Sequence, residues 1–389
     1  MANWSNWSGA LTADPASIHF VRTEADAQAV AAQATADKRR IRVAGACHSH
    51  APLVQHDDIL VDPQALTGVV STDQENKTAW VAAGTRIFAM GAPLLHAGLA
   101  LQNQGDIDQQ AICGATATGT HGTGSRLQNL SASVIGARIA LANGELVECS
   151  ADHNADLWRA SRLHLGAFGI VTQLNLQLMN ARCLQESQWQ CPLDSALARF
   201  GEVSQAHRHH EFFWYPRTDS AQCKAISETE LAPQYPLASE GERCAWSHEV
   251  LPNHRPHRHT EMEYSVPADA GPDCMAEIRK LLETRFTDVS WPVEYRSLAA
   301  DEVWLSSAYQ RPTVTISVHE DVRKNDEPYF RACEDIFLAY EGRPHWGKVN
   351  YLNTQQLQSC HARWDDWWQV RDSVDPEGTF LNQYMQSIR

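Results

Sequence analysis

Residues 114–124 read Gly114-Ala115-Thr116-Ala117-Thr118-Gly119-Thr120-His121-Gly122-Thr123-Gly124. Apart from His121, nothing in this stretch is larger than a threonine. Such a segment lets backbone approach a ligand closely and offers many N–H and hydroxyl donors, as a buried anionic cofactor requires. By itself a Gly/Ala/Thr loop is more often a tight connection. A second stretch of the same kind, Gly45-Ala46-Cys47-His48-Ser49-His50, follows a short apolar run, Ile41 to Val43. Two small-residue loops in one stretch of about 150 residues, both carrying histidine, favour the cofactor reading. Gly105-Asp106-Ile107 precedes the longer one.

Outward from these loops, the pattern alternates between helix and strand. The alanine-rich run Glu24 to Lys38 has helical spacing, and Ile41–Val43, Ile59–Val61 and Ala79–Ala83 read as strands. Ile87 to His96 predicts a helix that stops at Gly98. Ser133–Ala142 and Glu145–Glu148 flank Asn143-Gly144, a hairpin dipeptide. A helix over Asp156–Leu163, then Gly166-Ala167-Phe168-Gly169 and an alternating strand Ile170–Leu178, complete this half. No G-x-G-x-x-G follows the first strand, so a doubly wound dinucleotide fold is disfavoured.

Composition changes near residue 180. Residues 201–260 are polar and rich in His, Arg and Glu, with runs at His207-Arg208-His209-His210 and His254 to His259. Strands are predicted over Glu211–Tyr215, Glu261–Val266, Val293–Ser297 and Thr313–His319, and helices over Asp273–Phe286 and Pro328–Tyr340. This is a second α+β unit, with an antiparallel sheet covered on one face. The division expected is 1–180, 181–355, and a Trp-rich segment 356–389 packing on the earlier units. Residues 217–260 read as a long polar insertion with no readable motif.

The bulk counts exclude several classes. The chain has 389 residues and a formal charge of −15, which disfavours nucleic-acid binding. No run of about 18 apolar residues occurs, so no spanning helix is expected. The start, Met1 to Trp7, lacks the basic and apolar regions of a secretory signal. The 10 cysteines form no C-x-x-C pair, which fits a reducing cytoplasm. Of 32 basic residues only six are lysines, so each lysine is informative.

Taken in order, GACHSH, GDIDQQ, GATATGTHGTG and GAFGIVT resemble the FAD-binding domain of the vanillyl-alcohol oxidase flavoproteins. With EFFWYP (211–216), VEYR (293–296), the strand ending at His319, RPHWGK (343–348) and DPEGTFLNQY (375–384), the resemblance narrows to the sugar-1,4-lactone oxidase and alditol oxidase branch. It runs nearly end to end. It implies a two-subdomain FAD-binding domain plus an α+β cap that holds the substrate. His48 matches the histidine that many members link covalently to the flavin 8α-methyl, with Cys47 where the family often has Gly or Arg. Residues Ala44, Gly45, Ala46, Cys47, His48 and Ser49 would wrap the pyrophosphate. Gly105, Asp106 and Ile107, with Gly114, Ala115, Thr118, Gly119, His121 and Gly122, would line the flavin and ribityl chain. Ile170 and Val171 would lie near the adenine, and Asn382 and Tyr384 match a terminal segment returning to the flavin. Cys113, eight residues before His121, is similar to the cysteine of doubly linked flavoproteins, but a plain buried thiol is the favoured reading.

Alcohol oxidation by a flavin needs a proton acceptor for the hydroxyl and a cation beside the reduced ring. Glu294 and Arg296 stand i, i+2 on a strand and share a face. From pattern alone they are a surface ion pair; the resemblance makes them substrate-positioning and charge-stabilising groups. By the same resemblance His319 and Lys348 assist proton removal, Lys348 as a lysine whose charge neighbouring cations disfavour. The histidine runs read as solvated loops and no metal is assigned, which leaves a metal-dependent hydrolase as the lower alternative. His48-x-His50 is similar to a metallohydrolase ligand pair but lacks a carboxylate at fitting spacing. A flavin fold kept only as a scaffold is the third reading. Gly105 falls where the family controls oxygen access, which implies an oxidase releasing hydrogen peroxide, with a dehydrogenase as its alternative. The expected partners are a small polyol or lactone and O2, in a monomer or small homo-oligomer.

Overall fold

A computed structural model describes residues 3–389. Met1 and Ala2 of the stretch read for a signal lie outside the described residues. The first half contains two main sheets, besides the two-stranded pairings of Trp4–Ser5 with Thr12–Ala13 and of Leu99–Ala100 with Met179–Asn180. Three parallel strands stand in the order Ser17–Phe20, Ile59–Asp62, Ile41–Val43. The helix Glu24–Ala36 begins at a Thr23/Asp26 capping box and buries Ala27, Ala31 and Ala34, small residues that let it pack closely. Five antiparallel strands form the second sheet, ordered Leu146–Ser150, Val134–Ala140, Ile170–Gln177, Thr78–Ala82, Val69–Asp73. The helix Ile87–His96 ends where expected, with Gly98 at φ +73°. At Asn143-Gly144 only Gly144 is left-handed, so the hairpin closes through a longer turn than the two-residue form the dipeptide suggested.

From Cys183 the chain builds an eight-stranded antiparallel sheet. Its central order is Ser220–Thr229, His209–Tyr215, Val293–Leu298, Thr313–Asp321, His259–Pro267. The helices Leu193–Ala206, Gly271–Thr284 and Glu327–Ala339 cover one face. Tyr295 and Phe212 stack there 4.8 Å apart, beside Phe200 of the first helix. The opposite face carries the alternate residues, and they are charged. Because side chains alternate with a period of two, Val293 and Tyr295 enter the apolar core while Glu294 and Arg296 turn to the other side.

This layout corrects two expectations. Residues 217–260 are not all insertion, since Ser220–Thr229 is an interior strand of the sheet. The histidine runs are not solvated loops throughout: His209 and His210 are buried in a strand and His259 is buried at the start of another. Polar residues were read as solvent-facing, whereas this sheet buries its polar face beneath the first half of the chain.

The carboxy-terminal segment returns as a clasp. Trp367 packs edge-on against Phe168 at 5.0 Å and donates to the Leu163 carbonyl. Arg371 and Asp375 pair with no exposed side-chain area, and Asp375 accepts from the Thr379 and Phe380 amides, both at 2.9 Å. Arg42, also buried, donates to the carbonyls of Leu53, Leu165, Gly166 and Phe380, tying the segment after the first small-residue loop and the Leu165-Gly166 turn to the terminus. No helix among the described residues is long and apolar enough to cross a membrane.

Candidate active site

The register of the large sheet assembles the site. Across neighbouring strands Lys224 faces Glu211, Glu211 faces Arg296, Glu294 faces Ser317, Ser317 faces Glu263, and His319 faces Glu261. Residues two apart on each strand thus form a continuous polar plate. The plate floors a cavity of about 730 Å³ whose other wall carries His48, Ser49, Gly105, Asp106, Ile107, Thr118 and His121. Lys348 enters from the His345-Trp346-Gly347 turn, where the Gly347 carbonyl accepts from the His50 amide at 2.7 Å. All four residues expected for catalysis therefore meet the loops expected for the cofactor.

Charges on the plate are paired with care. Arg296 donates to Glu263 and lies 3.2 Å from Glu294. Burial opposes its charge, but Glu294 and Glu263 more than offset this and raise it. Glu263 also takes Ser317 Oγ at 2.5 Å and His121 Nε2 at 2.8 Å. Burial pushes Glu263 up, yet Arg296 and His121 outweigh burial and hold it well below the usual carboxylate range. Glu294 goes the other way. Burial pushes its carboxyl up to about 8 against the pull of Arg296, so it holds a proton near neutrality. His319 is lowered to about 4, by burial first and despite Glu261. Its Nδ1 lies 2.9 Å from the Pro292 carbonyl, so Nδ1 carries the proton and Nε2 is a free lone pair. Lys348 donates to Glu261 instead of standing among cations alone, as the sequence reading had it.

The cofactor loops are shaped for a flat, anionic group. A smaller cavity of about 80 Å³ adjoins, lined by Gly45, Ala46, Cys47, His48, Gly114, Thr118 and His164. A side chain at Gly114 would meet nothing within 4 Å, and one at Gly45 only the Ala111 methyl at 3.4 Å, so both loops face open space. His164 Nε2 is buried without a partner here. Cys47 sits at φ +59°, a left-handed conformation that suits the glycine common in the resembling family. His48 lines both cavities, stacks on Trp7 at 5.7 Å, and is lowered to about 4 by burial, then by Arg86 and Lys348.

The other expected cofactor residues have these surroundings. Ala44, Ala115, Ile170 and Val171 are core residues. Gly119 takes φ +77°, and Gly122 is needed for packing, since a Cβ there would lie 2.2 Å from the Gln104 carbonyl oxygen. Asn382 donates to the Pro52 and Gln55 carbonyls, holding the loop behind His48, and Tyr384 packs against the core. Cys113 lines the smaller cavity, with burial pushing its thiol up to about 12. The sequence reading missed Glu261, Glu263, His50, His259, His345 and Lys224. The period-two spacing of Glu261 and Glu263 on a predicted strand was the available signal.

With this geometry in view, the family profile for D-arabinono-1,4-lactone oxidase matches residues 174–246 and 232–388, and that for an FAD binding domain matches 15–150. The chain belongs to the D-arabinono-1,4-lactone oxidase family. An L-gulono-1,4-lactone dehydrogenase of Mycobacterium tuberculosis is 32% identical, over 99% of this chain and 98% of its own length. The alditol oxidase of a Streptomyces species is 28% identical over 99% and 98%, and the L-gulonolactone oxidase of Bos taurus 24% over 99% and 97%. Among solved structures, cholesterol oxidase from Brevibacterium sterolicum superposes with a TM-score of 0.88 at 16% identity, over 99% of this chain and 96% of that one. A chitooligosaccharide oxidase superposes at 0.79 and 14%, covering 99% and 94%. These last two show the fold alone. This family member is an FAD-dependent oxidoreductase acting on CH–OH donors, and the hydrolase alternative falls.

Proposed function

We propose that this flavoenzyme oxidises a hydroxyl-bearing carbon of a sugar-1,4-lactone or polyol and passes the electrons to O2, giving hydrogen peroxide. The observation that carries the reading is the polar plate of Glu294, Arg296, His319 and Lys348 in one cavity with His48 and Gly105. Residues 1–180 hold FAD, 181–355 hold substrate, and 356–389 clasp the cofactor half. When bound, FAD supplies hydride acceptance from the substrate carbon. His319 Nε2, a lone pair aimed at the cavity, takes the hydroxyl proton, and Glu261 at 3.7 Å stabilises the imidazolium. Protonated Glu294 donates to a substrate oxygen. Arg296 supplies fixed positive charge, and Lys348 orients a hydroxyl while anchored by Glu261. These paired groups cost no reorganisation during reaction.

His48 is the residue for a covalent flavin link, since its neutral imidazole at the junction of the two cavities is the form that acts as a nucleophile. The favoured substrates are neutral polyhydroxylated molecules, in keeping with the lactone and alditol relatives and with a plate whose charges are internally paired. Dehydrogenase activity is the second reading, favoured by the name of the 32% identical relative. A peroxide-release screen over lactones, alditols and aldoses tests the proposal. Peroxide with one of these classes is expected. Turnover with an artificial acceptor but none with O2 would favour the dehydrogenase, and no turnover with any of them would overturn the reading.

A further inference from the structure

We propose that His50, His259 and Glu261 form a binding site for a divalent first-row transition-metal ion at one end of the substrate cavity. One ligand atom from each lies within 4.8 Å of the other two. The two imidazole Nε2 atoms stand 4.0 Å (His50) and 3.6 Å (His259) from Glu261 Oε2. Tetrahedral zinc with bonds of about 2.0–2.2 Å places its ligand atoms roughly 3.4 Å apart. Small side-chain rotations therefore close the site.

The hydrogen bonding is compatible with a bound cation. His259 Nδ1 lies 2.9 Å from the His257 carbonyl, which only accepts, so the ring proton is on Nδ1. In the neutral ring Nε2 then presents a lone pair toward the Glu261 carboxylate at 3.6 Å, acceptor facing acceptor. A backbone carbonyl fixing the far nitrogen is also the outer contact that orients metal-bound histidines. His50 is buried with Nδ1 unpartnered. His319 repeats the arrangement on the other oxygen, Nε2 standing 3.7 Å from Glu261 Oε1. Two imidazoles and one carboxylate, with the remaining positions open to the cavity, suit zinc, cobalt or iron(II); the oxygen-seeking calcium and magnesium prefer other donors.

A second buried group, His121, Glu263 and His345, does not qualify. The Glu263 oxygens are already taken by Arg296, Ser317 and His121. At Glu261 the competing cation is the Lys348 ammonium, which shares Oε2 with both imidazoles. An ion there displaces Lys348 from its anchor and fills space the substrate needs, so it inhibits turnover.

The test uses FAD-loaded enzyme freed of metals with a chelator. It is titrated with Co²⁺ and followed by visible ligand-field absorption, and in parallel dialysed to equilibrium against Zn²⁺. About one ion per chain is expected, with affinity falling at least roughly tenfold in each of His50→Gln, His259→Gln and Glu261→Gln and holding in His345→Gln. Retained FAD checks folding, and any one ligand variant that keeps FAD suffices. Zn²⁺ should also slow turnover of the parent enzyme, and a chelator should restore it. Background-level ion binding, or binding equal to the parent in the folded ligand variants, overturns the proposal.

Discussion

Arg296 donates to Glu263 while Glu294, on its own strand, lies 3.2 Å from the same guanidinium nitrogen. One cation thus serves two buried carboxyls, and only one of them ionises fully. Glu263, held by Arg296, His121 and Ser317, is the anion; Glu294 keeps its proton. Burial first, and then Glu211 and Glu261, raise Glu294 against the pull of Arg296.

Glu294 makes activity and stability sensitive to alkaline pH. Its carboxyl is raised from 4.5 to about 8 in the folded protein, with burial as the first cause. A raised group contributes stability fully below its unfolded value and loses it as pH climbs through the folded one. Turnover should therefore fall as pH passes about 8. Glu294→Gln, which keeps a donor that cannot ionise, should retain activity within roughly tenfold and lose that alkaline limb. Parallel pH–rate profiles of kcat/KM check this.

His319 and Lys348 should separate kinetically. His319→Gln removes the proton acceptor and should lower kcat by about 10²–10⁴-fold. Lys348→Met removes an orienting ammonium and leaves Glu261 without its pair. It should raise KM as well as lower kcat, because the interaction is made with bound substrate before reaction. Steady-state kinetics on one substrate distinguish the two.

The proposed oxidase reaction brings O2 into the cavity that Gly105 lines. A Cβ there would stand 3.4 Å from both the His121 carbonyl oxygen and Thr120 Cγ2, tight but tolerable. Gly105→Ala should leave flavin reduction by substrate nearly unchanged and slow reoxidation by air roughly tenfold, a barrier change of about 1.4 kcal/mol. Stopped-flow measurement of the two half-reactions checks it.

His48 should hold the flavin through denaturation. Yellow fluorescence should stay with the polypeptide on a denaturing gel, and His48→Ala should release free FAD on unfolding. Cys113→Ala should leave the gel signal unchanged, as the raised thiol of Cys113 makes it a poor nucleophile.

The clasp should matter to stability and not to chemistry. Asp375→Asn leaves buried Arg371 with Asp372, 2.8 Å away, as its remaining carboxylate, and should cost less than the about 3–5 kcal/mol of breaking a buried pair outright. A lower thermal midpoint with kcat near that of the parent enzyme is expected, from calorimetry and assay at low temperature.

Much of this protein was legible in the chain. Helix and strand positions such as Ile87–His96 and Ile41–Val43 followed from periodicity and stop residues, because those signals are local. The two small-residue loops, with His48, were readable for the same reason: backbone access to a ligand demands small residues wherever the loop ends up. Glu294 and Arg296 showed a shared face, and Lys348 stood out by rarity. Register was not legible. Which residue of one strand faces which of another depends on pairings between segments far apart in sequence, such as Glu261 with His319 and Glu211 with Arg296. Those pairings turned apparently solvated His, Glu and Lys residues into a buried plate, gave Glu294 and Glu263 opposite protonation states, and set Lys348 on Glu261. Asn382 also holds the loop behind His48, and Tyr384 packs against the core, which the sequence did not show. The sequence determined which local elements and loops exist; the tertiary structure decided which charges meet, because burial and electrostatic pairing are properties of distance in space.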